Sequence, residues 1–199
     1  GEILEGQING RELEVTGTME TEQYAGGETG GTAGAGDTIT VQDDTGALEM
    51  EVPASWDESA SDIWYADDGT RIGPRLIAAP DVDAFLNSYD ADGVVYVGSV
   101  SLLGEYDAAS YLDVFDSEIR ENNACTNIYD RQSYSDPFYE GVIDLYDGCG
   151  ASNGSIAIVA ALPEDESYML VVWVQYHEPD SEEALSTILD SFWVPGVIE

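Results

Sequence analysis

The sequence predicts an α+β fold: an α/β/α sandwich around a central, largely antiparallel sheet, preceded by an N-terminal arm. Three observations predict it. Apolar residues alternate at period two in several short segments, the mark of half-buried strands. Two later segments are nearly continuous apolar runs, as strands covered on both faces require. Two further stretches carry apolar residues at helical spacing behind an acidic cap.

Taken in order, residues 1–36 read as an arm and tether, and residues 37–199 as one domain. In the arm, Leu13 and Val15 alternate with Glu14 and Thr16, so the segment to Met19 is a strand candidate. Gly26 to Gly36 is a Gly/Thr/Ala-rich stretch with the composition of a flexible linker. In the body, Ile39 and Val41, then Leu48, Met50 and Val52, alternate with polar residues around Asp43-Asp44-Thr45-Gly46, which predicts a hairpin ending at Pro53. A short strand is expected over Arg75–Ala79, a short helix capped by Asp81 through Ser88, and a strand over Val94–Val100. Asp107 caps a helix whose buried stripe is Ala108, Tyr111, Leu112, Phe115 and Ile119. Strands follow over Thr126–Tyr134, Phe138–Asp147, Ser155–Leu162 and Met169–Tyr176, the last two central. Asp180, answered by Glu183, starts a closing helix that buries Ala184, Leu185, Ile188, Leu189, Phe192 and Trp193.

The charge is extreme: 41 acidic against 5 basic residues, all arginine, for a net −36. Such a surface repels nucleic acid and anionic lipid, and repels itself in dilute salt. Near 1 M salt the Debye length falls to about 3 Å, so a saline, cation-rich medium suits it. With 43% apolar and 10% aromatic residues the chain can still build a core. No apolar run approaches the ~20 residues of a membrane span, and the start at Gly1 fits a mature secreted protein. The two cysteines, Cys125 and Cys149, read as a disulfide in that setting, with a metal or redox pair as alternatives.

Several stretches carry a resemblance: Asp43-Asp44-Thr45-Gly46 leading to Val52-Pro53-Ala54-Ser55-Trp56, Ala78 to Phe85, Asp92 to Ser99, Tyr139 to Gly150 with Cys125, and Ile188 to Val194. Over these, the body resembles the PsbP-like domains of secreted and cell-surface bacterial proteins. The resemblance implies an α/β/α sandwich, a Cys125–Cys149 bridge and an accessory module, sometimes beside a trypsin-like protease. It implies no catalytic residues.

No catalytic residue is assigned. A serine hydrolase needs a nucleophile, a base and an oxyanion hole in register, and no Gly-x-Ser-x-Gly nucleophile motif is expected here. His177, the one imidazole, is read as a polar residue at a strand end before Pro179. A phosphate-binding loop would need a lysine, which the chain lacks. No cofactor is expected, and calcium is the best small-ligand candidate, because carboxylates two apart can converge on one hard cation. Asp90 with Asp92 is the first such pair, with Asp81 and Asp83, and Asp67 and Asp68, beside it. Asn153-Gly154-Ser155 is a glycosylation sequon in a turn.

The expectation is therefore a non-catalytic, extracellular or cell-surface interaction module. Its partner would be protein, including a second copy of itself, with cations at its surface and neither nucleic acid nor membrane insertion. It would serve as a structural subunit of a polymer joined by its N-terminal strand, Leu13 and Val15 inserting into a neighbour. The alternative is an accessory or ligand-binding, for example calcium-binding, domain of an envelope protein or secreted protease.

Overall fold

The computed structural model describes residues 37–66, 68–177 and 181–198. Among them are ten strands and three α-helices. Strands β1 (Thr38–Gln42) and β2 (Glu49–Pro53) form the expected hairpin, but as a separate two-stranded sheet. Its turn is tied by Asp43, a buried carboxylate that accepts from Leu48 N at 2.6 Å and Thr45 N at 2.9 Å. An Asx turn of this kind fixes where the chain reverses.

The main sheet is antiparallel throughout. It takes the order β3 (Glu58–Tyr65), β4 (Arg71–Ala79), β5 (Gly93–Ser99), β10 (Met169–Tyr176), β9 (Gly154–Pro163), β8 (Tyr139–Cys149) and β6 (Cys125–Ile128). A short β7 (Gln132–Ser135) shares the outer edge of β8 with β6. The two apolar runs are β9 and β10, and both sit inside the sheet. Their continuity follows from coverage on both faces. Val171 and Trp173 point into one core, and Leu170, Val172 and Val174 into the other.

The first core is roofed by α1 (Val82–Asn87) and α2 (Ala108–Glu121). Phe85 from α1 and the stripe Tyr111, Leu112, Phe115 and Ile119 from α2 fill it, as the helical spacing requires. Asp81 accepts from Ala84 N, and Asp107 forms a reciprocal cap with Ser110, so both acidic caps stand where the sequence puts them. The second core lies under the β1–β2 hairpin and α3 (Ser181–Ser191), with Val41, Met50, Val52, Ala184 and Ile188 facing Tyr96 and Phe192. The fold is thus mixed α+β, with helices on both faces of the main sheet.

Several expectations need correction. The segment Thr126–Tyr134 is two strands, because the register against β8 slips by one residue between the pairs Ile128–Tyr146 and Gln132–Ile143, where Arg131 binds Asp144. Strand β4 begins at Arg71 rather than Arg75. Strand β3 was not expected at all. It is an edge strand with mostly solvated side chains, so it lacks apolar alternation. Trp193 does not belong to the closing helix's buried stripe. It follows α3, is 39% exposed, and pairs its backbone with Glu49. Asp180 lies outside the described residues.

Candidate functional site

Of the residues singled out from the sequence, Leu13 and Val15 lie outside the described residues, as does Asp67. Cys125 and Cys149 are bonded to each other across the β6–β8 pair. Asp81 caps α1, and Asp68 accepts from Thr70 N at 2.8 Å. Asp90 and Asp92 do meet at one place, but each faces its own hydrogen-bond donor rather than a shared point. Among the described residues no group of three His, Cys, Asp or Glu side chains is arranged to hold a metal ion.

What Asp90 and Asp92 face is a constellation built by the sheet register. Gly93 at the start of β5 pairs with Gln175 of β10, and Tyr176 of β10 pairs with Ser155 of β9. The residues just beyond these pairs therefore gather at one end of the sheet: Asp92 before β5, His177 after β10, and Ser152 at the tip of the β8–β9 hairpin. Asp92 Oδ1 lies 2.6 Å from His177 Nδ1. His177 Nε2 lies 2.6 Å from Ser152 Oγ. Asp90 Oδ1 closes the far side, accepting from Ser152 N at 2.7 Å and standing 2.8 Å from Ser152 Oγ.

Two glycines make this approach feasible. A Cβ on Gly154 would sit 2.4 Å from His177 Nε2, and one on Gly150 would sit 2.6 Å from Asp90 Oδ1. Gly150 also has φ +65, which an L side chain rarely adopts. These glycines flank Ser152 in Gly150-Ala151-Ser152-Asn153-Gly154, a Gly-x-Ser-x-Gly string that the sequence reading missed. The string was the one signal that could have pointed to Ser152. Its setting is strand–turn–strand, not the strand-to-helix elbow of α/β-hydrolases. Its glycines admit the His177 ring and the Asp90 carboxylate.

The electrostatics follow from the contacts. The Ser152 N–H, then its hydroxyl, hold Asp90 below the ordinary carboxylate range, so it is an anion at neutral pH. Ser152 is exposed, while His177 and Asp92 are partly covered. The loop that carries both aspartates is pinned from below by Gln175, whose side-chain amide donates to Ser88 O at 3.0 Å and to Ala91 O. Under α1 lies an apolar slot lined by Trp64, Arg75, Phe85, Tyr89, Phe115 and Trp173, with about 40 Å³ of accessible volume. Arg75 lies deep in its wall and is bound through two nitrogens to Asp62 on β3.

A different surface lies at the first strand of the described residues. Among the described residues β1 pairs with β2 alone. Its sequence, Thr-Ile-Thr-Val-Gln, has no charge, proline or glycine, the devices that usually blunt an edge. Nearby, Phe138 and Trp193 form an exposed edge-to-face pair with ring centroids 4.9 Å apart.

No helix among the described residues is long and apolar enough to cross a membrane. No protein-family model matches the chain, and no curated protein sequence matches it either.

Proposed function

We propose that this chain is a non-catalytic, PsbP-like assembly module of the cell exterior, in which the arm of one copy adds a strand to the body of the next. The observation that carries this reading is the outer edge of β1. It is an uncharged, β-branched strand without a second neighbour among the described residues, on a chain with 41 acidic residues, and it starts where the arm ends. Backbone groups on such an edge offer hydrogen bonds to an incoming strand, and alternate side chains give the register. Ile39 already packs against the second core, so Leu13 and Val15 on the added strand would extend it.

The charge sets the condition. Copies carrying −36 repel one another, and added salt screens that repulsion. Deleting residues 1–36 is expected to abolish self-association in high salt while circular dichroism of the body is unchanged. Equal masses for full-length and truncated protein in sedimentation at high salt would end this reading, as would association that weakens as salt is added.

The alternative, an accessory or ligand-binding domain, draws on the slot under α1. Its volume of about 40 Å³ is well below the ~300–1,000 Å³ of ordinary ligand pockets. Calcium at Asp90 and Asp92 would have to displace Ser152 and His177 from those carboxylates.

A further inference from the structure

We infer that Ser152 is a latent nucleophile toward ester carbonyls, with His177 as its base, Asp92 as the carboxylate that orients His177, and Asp90 as an internal brake. This inference leaves assembly through the arm untouched and replaces only the non-catalytic part of that reading, since a subunit of a polymer can also carry a slow, braked nucleophile. Asp92 on Nδ1 selects the tautomer that carries its proton there, which leaves the Nε2 lone pair facing Ser152 Oγ at 2.6 Å. That is the relation of nucleophile, base and orienting acid that defines a serine triad, whatever the order in the chain.

The brake follows from counting protons. The Ser152 hydroxyl has one proton and two acceptors in reach, Asp90 Oδ1 at 2.8 Å and His177 Nε2 at 2.6 Å. Donation to Asp90 leaves the oxygen unactivated. Donation to His177 activates it. Asp90 also takes the Ser152 N–H, the backbone donor that would otherwise be free for a developing oxyanion. An anionic carboxylate at that position repels the charge that forms on attack. Asp90 and Ser152 are both exposed, so the brake can turn out into solvent and an ester can reach the hydroxyl.

With Asp90 turned away, the reaction balances without a cofactor. Oγ bonds to the carbonyl carbon while its proton passes to His177 Nε2, and Asp92 faces the resulting imidazolium. Collapse of the adduct breaks the ester C–O bond, and the leaving alcohol takes the proton from Nε2. Water then attacks the acyl-serine, giving its proton to Nε2. The acid departs as Oγ recovers that proton.

The test uses the full-length protein and a fluorophosphonate probe, with the adduct located by peptide mass spectrometry. Wild type is expected to label slowly at Ser152, and Ser152→Ala not at all. His177→Gln should label at least about tenfold more slowly and Asp90→Ala at least about tenfold faster, since a single oxyanion donor is worth about 10²–10³ in rate. Asp90→Asn, which keeps the shape and removes the charge, should also label faster and serves if the alanine variant does not fold. Hydrolysis of p-nitrophenyl acetate should rank the variants in the same order. Absence of a Ser152 adduct from wild type and from both folded Asp90 variants would overturn the inference. So would labelling that does not depend on His177, or Asp90 variants no faster than wild type.

Discussion

Gly154 stands so close to His177 that a Cβ on it would lie 2.4 Å from Nε2 and 2.8 Å from Cδ2. The ring is held at both nitrogens, by Asp92 and Ser152, so it cannot yield without breaking one of those contacts. Gly154→Ala is therefore expected to destabilise the fold by about 1–3 kcal/mol, the usual cost of overpacking. It should also shift the His177 ring resonances, whereas an unchanged His177 spectrum with unchanged urea midpoint would show that the ring is free to move.

Tyr96 is fully buried, and its hydroxyl has no hydrogen-bond partner among the described residues. Burial also pushes its ionisation well above the ordinary tyrosine value. A buried donor left unmade costs free energy, while an apolar group of the same shape does not. Tyr96→Phe should raise stability by about 1 kcal/mol in urea melts. A loss of that size would mean that the hydroxyl has a partner in solution.

The Cys125–Cys149 bridge closes a sequence separation of 24 and ties the short edge strand β6 to β8. In the chain-entropy account such a loop is worth about 3 kcal/mol, or roughly 6–12 °C in Tm for a domain of this size. Replacing both cysteines by alanine should produce that loss, read by calorimetry at fixed salt. Reduction of the wild type should match it.

Asp107 provides the acid-side prediction. The backbone N–H of Ser110, then its hydroxyl, hold Asp107 below the ordinary carboxylate value. The native pKa is thus the lower one. The stabilisation it brings is complete above the unfolded value of about 3.9 and is lost as pH falls through the lower native value. Asp107→Ala should therefore lower the urea midpoint near about pH 6 and change it less near about pH 2. An equal effect at both pH values would remove the charge of Asp107 from the account of the cap.

Legibility in the sequence tracked how local each cause was. Helix α2 was readable because its cap and its stripe lie within one segment and the apolar spacing matches the helical period. Strands β9 and β10 were readable as central because coverage on both faces leaves no polar alternation. Strand β3 was not, since an edge strand with solvated side chains owes its state to backbone pairing with β4, which composition does not record. Arg131 belongs with β3 in this respect. Its two bonds of 2.7 Å to Asp144 lie where a segment that reads as one strand slips register against β8.

The site divides in the same way. The Gly-x-Ser-x-Gly string around Ser152 was in plain sight, yet by itself it is also an ordinary hairpin turn. Asp90 and Asp92 attracted notice as a cation pair because adjacent acids are all that one segment can display.

By itself the sequence determined the α+β class, the two acidic helix caps, the hairpin and the acidic exterior, each written in local periodicity or in composition. Tertiary structure alone decided that Asp92, Ser152 and His177 meet. They are 60 and 25 positions apart in the chain, and only the register of β5, β10 and β9 brings them to one end of the sheet. Hydrogen-bonded pairing of distant strands is a long-range event, and no property of the separate segments encodes it.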